Sequence, residues 1–261
     1  MQIKFYKYQG TGNDFVIIDN RDGQYDALST TQIRHLCDRR FGIGADGLML
    51  LNTHPSLNFH MKYYNADGGE SSMCGNGGRC LVRFASDMGI FQTTYRFEAI
   101  DGLHEAELRD DKTVALKMND VEQVQERYGH YILNTGSPHY VLHERDVMHM
   151  DVYRKGREIR YSKAFEAEGI NVNFVEQSDY PTRIFVRTYE RGVEDETLSC
   201  GTGVTAAAIV NYHNENGFNH VDVQTKGGNL SVEYEKHGDR YQNIWLIGPA
   251  VKVFEGTIII A

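Results

Sequence analysis

Proline and tryptophan are scarce in this chain: four prolines and one tryptophan among 261 residues. With no low-complexity stretch either, long linkers and disordered tails are excluded. Cysteine is sparse as well. Four cysteines with no Cys-x-x-Cys do not make a disulfide framework, and they are expected as reduced thiols in the cytoplasm. The start, Met1-Gln2-Ile3-Lys4-Phe5-Tyr6, lacks the apolar core of a signal peptide, and no apolar run approaches membrane-spanning length. Basic runs are missing too, and the net charge is −9, which argues against nucleic acid or an anionic membrane as partner. His54, His60, His143, His149, His213 and His220 show no metal-ligand spacing, so no metal is expected. What is left, 41% hydrophobic and 24% charged, describes an ordinary globular enzyme or binding protein of one or two domains.

Two stretches stand out. Met73-Cys74-Gly75-Asn76-Gly77-Gly78-Arg79-Cys80 has an echo in Ser199-Cys200-Gly201-Thr202-Gly203-Val204-Thr205. Each places a cysteine before a glycine-rich step that leads into a run with helical spacing. The first run carries Leu81, Val82, Phe84, Ala85 and Met88 and closes at Gly89. The second carries Val204, Ala206, Ala207, Ala208, Ile209 and Tyr212 and is expected to close at Gly217. Both cysteines therefore belong at helix N-termini, where free N–H groups and the positive end of the helix dipole favour a thiolate. Cys37 and Cys80 sit inside apolar helical patterns and read as buried structural residues.

The surroundings repeat with the cysteines. Thr11-Gly12 and Thr135-Gly136 lie 124 positions apart, Gly42-Ile43 and Gly169-Ile170 127, and Cys74 and Cys200 126, while Glu70 and Glu196 each precede their cysteine by four. Such near-constant offsets point to two homologous halves of α+β class, each a mainly antiparallel sheet around a central helix, with the active-site cleft expected between them. The first half takes residues 1–118 and is completed by strands within 251–261 (Val251–Phe254 and Thr257–Ile260); the second takes 119–250. Strands are expected at Ile3–Tyr8, Phe15–Ile18, Leu48–Leu51, Phe59–Tyr64, Tyr140–Leu142 and Arg183–Tyr189, and a helix from Ser29 to Arg40. Asp101, Asp110, Asp111, Asp120 and Glu194-Asp195-Glu196 read as solvated surface charge.

Two activated thiols in matched settings suggest one reaction that uses both. If the helix starts face one substrate, a thiolate removes a proton from a carbon and a thiol delivers one to the opposite face, which inverts a stereocentre. An α-proton is weakly acidic, so backbone N–H groups at Gly75-Asn76 and Gly201-Thr202 are needed to hold the substrate carboxylate and stabilise the developing charge. No cofactor is needed, and Cys74-Gly75-Asn76-Gly77-Gly78-Arg79 is not a dinucleotide fingerprint.

At these residues the chain resembles the diaminopimelate epimerases, cofactor-independent enzymes that interconvert LL- and meso-2,6-diaminopimelate in bacterial lysine and cell-wall synthesis. The matching pieces are Gly12-Asn13-Asp14-Phe15, Gly42-Ile43-Gly44-Ala45-Asp46, Asn65-Ala66-Asp67-Gly68, Cys74-Gly75-Asn76-Gly77, Pro138-His139, Tyr189-Glu190-Arg191-Gly192 and Cys200-Gly201-Thr202-Gly203. They span nearly the whole chain. The resemblance implies Cys74 and Cys200 as the acid/base pair, with His139 and Glu190 as the polar partners of Cys74 and Cys200 respectively. It implies substrate contacts from Asn13, Asn65, Gly75, Asn76, Asn171, Glu190, Arg191, Gly201 and Thr202, and an assembly that in this family is often a homodimer. Arg191 suits a carboxylate through its fork of donors. Two positions depart from the pattern: Ser137 stands where many members have Asn, and Gly47 where many have Gln. Ser137 can still donate one hydrogen bond, Gly47 none from a side chain, which leaves room for altered selectivity at the distal end of the substrate.

Three other readings compete. A proline-racemase-type enzyme of the same architecture would act on a shorter substrate. A redox or metal-binding protein would use the cysteines differently, against which stand their distance in sequence and the lack of Cys-x-x-Cys. A binding protein would keep the cleft without the chemistry.

Overall fold

A computed structural model of the chain describes residues 1–211 and 213–260. Two compact units divide it: Met1–Leu116 with Gly248–Ala261, and Lys117–Ile247. In the first unit the chain forms β1 (Gln2–Gly10), β2 (Asn13–Asp19), α1 (Thr30–Cys37), β3 (Gly47–Asn52), β4 (Phe59–Asn65), α2 (Gly75–Asp87), β5 (Thr94–Ala99), β6 (Gly102–Leu108) and β7 (Val114–Lys117). The second unit follows with β8 (Gln125–Arg127), β9 (His130–Asn134), β10 (Pro138–His143), α3 (Val152–Arg160), β11 (Asn171–Gln177), β12 (Arg183–Glu190), β13 (Asp195–Thr197), α4 (Gly201–Ile209), β14 (Gly217–Thr225), β15 (Gly228–His237) and β16 (Arg240–Gly248). A last strand, β17 (Val251–Ile259), returns to the first unit.

The duplication extends to the strand pairing. In the first unit β1–β2 is antiparallel, β2–β3 parallel, β3–β4 antiparallel, β4–β5 parallel, and β5–β6 and β6–β7 antiparallel. In the second, β9–β10, β10–β11, β11–β12, β12–β14, β14–β15 and β15–β16 repeat that series of senses. The helices fall at matching points. α1 and α3 make the first parallel crossover, and α2 and α4 the second. This is the α+β class in two similar halves.

α2 and α4 are the central helices. α2 packs on β1, β2, β3 and β6, and Phe84 meets the rings of Tyr6 and Tyr8 at centroid distances of 4.9 and 5.7 Å. From Asn76 to Val82 every residue of α2 is buried, the pattern of a helix enclosed on all sides. α4, Gly201-Thr202-Gly203-Val204-Thr205-Ala206-Ala207-Ala208-Ile209, buries all but Thr202 and lets β10, β11, β12 and β15 pack against it. α1 begins with a capping box, in which Ser29 Oγ accepts from the Gln32 amide while Gln32 reaches back to the Ser29 amide. Its Ile33, Leu36 and Cys37 close a core with Ile3, Phe5, Val16 and Leu48.

The structure corrects several expectations. α1 stops at Cys37, not Arg40, with Asp38 extended as its C-cap. α2 ends as expected, with Gly89 at φ +91° just beyond. α4, however, ends at Ile209, well short of Gly217, which opens β14. The Asn214 side-chain amide donates to the Ile209 carbonyl and closes that end; Tyr212 lies outside the described residues. The two C-terminal strands are one, β17, which pairs antiparallel with β1 through a register shift at Lys7/Tyr8. Glu194 and Glu196 are not simply solvated. Glu196 binds the buried Arg187 at 2.6 and 2.7 Å, and Glu194 accepts from Tyr161 and Tyr189. Asp101 accepts from the Met73 amide at 3.2 Å. No described helix is long and apolar enough to cross a membrane.

Candidate active site

In the first unit, Cys74 is the N-cap residue of α2, in extended conformation (φ −95°, ψ 133°), and its side chain makes no cap hydrogen bond. The first intrahelical bond, 2.7 Å from the Gly78 amide to the Cys74 carbonyl, leaves the amides of Gly75, Asn76 and Gly77 directed out of the helix start. The β1–β2 turn brings Asn13 to this point. Asn13 Oδ1 faces the Cys74 sulfur at 3.5 Å and Asn76 Nδ2 at 3.4 Å, and its Nδ2 donates to Asp46 at 2.6 Å. That last bond fixes which end of the amide meets the thiol.

Behind Asn13, Asp46 and Asp14 share Arg39, and Asp14 also binds Lys7 at 2.7 Å. Burial alone would raise the Asp14 carboxyl, but hydrogen bonds and charge from Arg39 and Lys7 more than offset it and bring the group down to about 2. Asn65 lies exposed at the end of β4. Gly47 is a packing glycine. A Cβ there would stand 2.6 Å from the Tyr64 carbonyl and 2.9 Å from the Tyr63 hydroxyl, so no side chain can project from this position while Tyr63 stays in place.

In the second unit, Cys200 is the buried N-cap residue of α4 (φ −111°, ψ 113°), again without a side-chain cap. Its sulfur lies 3.5 Å from Thr202 Oγ1, and the Val204 amide makes the first helical bond to its carbonyl at 2.9 Å. Thr135 Oγ1 donates to the Thr202 carbonyl at 2.8 Å. Asn171, Ser137 and Arg191 form one network. Asn171 Nδ2 donates to Ser137 Oγ at 2.8 Å, its Oδ1 accepts from the Arg191 amide at 2.9 Å, and Arg191 Nη2 reaches Ser137 Oγ at 3.3 Å. The guanidinium otherwise contacts the Glu168 carbonyl. Among the described residues Arg191 has no carboxylate partner, so its charge is available to an anion. Glu190 ends β12, half-buried, directly before Arg191.

His139 is fully buried on β10. Burial first, then the charge of Arg191, push its pKa down to about 3, against an opposing hydrogen bond from Asn173. Asn173 Nδ2 sits 3.0 Å from Nδ1 of the ring and 3.2 Å from the Tyr140 carbonyl, and its Oδ1 accepts from Thr188 at 2.9 Å. These partners orient the Asn173 amide as a donor to Nδ1, which puts the imidazole proton on Nε2. Among the described residues Nε2 has no partner.

Sequence reasoning missed Asn173, Thr188 and Arg79. Asn173 stands two residues after Asn171 on β11, so period-two alternation puts both on one face, and that was the available signal. Arg79 left none, because a charged residue inside an amphipathic run reads as its solvent face. Among the described residues no group of three or more His, Cys, Asp or Glu could hold a metal.

Residues 5–124 and 131–253 match the diaminopimelate epimerase family. The diaminopimelate epimerase of Flavobacterium psychrophilum is 49% identical over 98% of this chain and 100% of its own length. That of Chlorobaculum tepidum is 43% identical over 95% and 98% respectively. Among solved structures, a phenazine biosynthesis protein of the PhzF family from Bacillus anthracis superposes with a TM-score of 0.78 at 14% identity, covering 100% of both chains. A hydroxyproline epimerase from Agrobacterium vitis gives 0.68 at 13%, covering 98% and 92%. At such identities these two structures share the fold alone.

Proposed function

We propose, because this chain belongs to the diaminopimelate epimerase family, that it inverts one α-carbon of LL-2,6-diaminopimelate to give the meso isomer, with Cys74 and Cys200 as the two acid/base groups. The chain is an isomerase. In the proposed reaction one thiolate takes the α-proton from one face, and the other group, a thiol, gives a proton to the opposite face. The product leaves with its configuration reversed and the charges of the two sulfurs exchanged. The amides at the starts of α2 and α4, around Gly75-Asn76 and Gly201-Thr202, bind the carboxylate next to the reacting carbon and stabilise the charge that spreads onto it. Asn13, Asn65, Asn171, Glu190 and Arg191 are the remaining proposed contacts, with Arg191 suited to a carboxylate because it lacks one of its own. His139 and Glu190 are the proposed polar partners of Cys74 and Cys200. The same reading sets the reaction in lysine and cell-wall precursor synthesis, in the cytoplasm and in a homodimer.

The observation that carries this reading is the matched pair of cysteine N-caps, each without a side-chain cap and each followed by a glycine-rich first turn. The proline-type alternative has support from the fold alone, whereas the sequence relatives across the full chain are named diaminopimelate epimerases. Incubation with LL-diaminopimelate in D₂O without added cofactor tests it. Deuterium should enter one α-carbon as the meso isomer forms. Exchange into proline in place of diaminopimelate, or none into either, would refute it.

A further inference from the structure

Five positions after Cys74, Arg79 is completely buried in α2. Side chains on a helix lean toward its N-terminus, and this guanidinium accordingly lies along the first turn. Nη1 donates to the Gly75 carbonyl at 3.2 Å, and Nη2 to Asn76 Oδ1 at 3.0 Å and Thr11 Oγ1 at 3.4 Å. Nε has no partner among the described residues. Every acceptor is neutral, and no described carboxylate pairs with Arg79. A guanidinium stays protonated, and an unpaired charge is costly to bury. Its place worsens the imbalance, since the start of a helix already carries positive potential and repels a cation. Both effects call for an anion at the start of α2.

The charged groups around α2 are committed elsewhere. Asp87, at the far end, binds Tyr8 and Arg83. Asp101 takes the Met73 amide and His104. The cluster beyond Asn13 holds two charges of each sign in Asp14, Asp46, Lys7 and Arg39. Cys80, adjacent to Arg79, is held up to about 12 by burial and stays a thiol. Cys74 remains. Its 3.5 Å contact to Asn13 Oδ1 favours the neutral thiol, but an S–H donor is weak beside a full buried charge. In α4 the equivalent position, five after Cys200, is Thr205, whose hydroxyl donates to the Gly201 carbonyl at 3.0 Å, the same bond back to the first turn without the charge.

We infer that Arg79 is a positioning residue that acts through Cys74: it holds negative charge at the start of α2, so that Cys74 rests as the thiolate and Cys200, backed by Thr205, rests as the thiol. The inference gives the two-cysteine reaction its starting protonation state and rests on that reading for its meaning, but its test needs no turnover. Iodoacetamide alkylation of the intact enzyme, followed at each cysteine by peptide mass spectrometry across pH, reads the thiolate fraction directly. The Cys74 midpoint should lie at least about one pH unit below that of Cys200, roughly a tenfold excess of thiolate at neutral pH. Arg79→Met should raise the Cys74 midpoint by about a unit and leave Cys200 unmoved, and Arg79→Lys should restore most of the difference. Equal wild-type midpoints, or a lower one at Cys200, would overturn the inference even if Arg79→Met did not fold. So would an unmoved Cys74 midpoint in folded Arg79→Met. Should diaminopimelate prove not to be the substrate, these midpoints would be unaffected.

Discussion

The two helix starts align residue for residue: Cys74-Gly75-Asn76-Gly77-Gly78-Arg79 against Cys200-Gly201-Thr202-Gly203-Val204-Thr205. Their backbones agree. Each has an extended cysteine N-cap, a glycine at the first helical position and a first helical bond back to the cysteine carbonyl. The side chains differ. The first start is lined by Asn13, Asn76 and a buried cation; the second by hydroxyls from Thr202 and Thr205, with Asn173 and His139 packed nearby in the same unit. Duplication has kept the part of each helix start built from backbone and changed the part built from charge. A repeated backbone frame thus sets its two cysteines in surroundings of unequal charge.

The largest test of the comparison removes one sulfur at a time. Cys74→Ala and Cys200→Ala should each lower epimerisation about a hundredfold to ten-thousandfold while diaminopimelate still binds, as read by turnover and calorimetric titration. Near-normal turnover in either variant would mean that its half takes no part in the chemistry.

A second test uses the glycines three positions after each cysteine. A Cβ on Gly203 would collide with Asn173 Oδ1, which is pinned by Thr188, whereas one on Gly77 would meet the flexible Met49 sulfur at 3.3 Å. Gly203→Ala is expected to destabilise the protein by about 1–3 kcal/mol through overpacking and to disturb the Asn173 bond that orients His139. Gly77→Ala should stay within about 1 kcal/mol, because the gain in helix propensity offsets the tighter contact. Denaturant midpoints of the two variants would measure the difference, and equal losses would show that the two helix starts are packed alike.

A third test separates the units by pH. His139 and His143 are pushed down to about 3 and about 4, in both cases chiefly by burial. Unfolded, each would take its proton near 6.5. Their neutral forms therefore contribute stability that is complete above about pH 6.5 and is lost as pH falls toward 4, at up to about 1.4 kcal/mol per pH unit per proton. Asp14 in the first unit, lowered to about 2, gives up its contribution only between its ordinary range near 3.8 and that value. Amide protection, taken as the exchange rate relative to an unstructured chain at each pH, should weaken in the second unit between pH 6.5 and 4 while that of the first holds, and uniform loosening would contradict this assignment.

Much of the fold could be read from the residues because its signals were local. A continuous apolar run marked β3, alternation marked β4, a Ser29 or Thr30 N-cap marked the start of α1, and Gly89 marked the end of α2. α4 was read too long because its stop is not a glycine but the side chain of Asn214, reaching back to the Ile209 carbonyl. Glu196 was read as surface charge because Arg187 is its neighbour through the β12–β13 hairpin, which no helical or strand period reveals. In the candidate site, the cysteines were visible through the repeat of their surroundings. Asn173 and Arg79 were not, since their importance lies in which atoms they meet across strands and turns.

Strand β17 carries one more consequence. It lies along β1, pairing Ile3 with Ile258, and the Met1 amine meets the Ile260 carbonyl at 2.6 Å. The half made first on the ribosome is thus finished only after the second, because its edge strand follows the whole of the second unit in the chain. The second unit is one continuous stretch of chain and can assemble while the nascent first unit still waits for its closing strand. A chain released before β17 is made would leave β1 an open edge, the kind of surface on which unfinished chains associate.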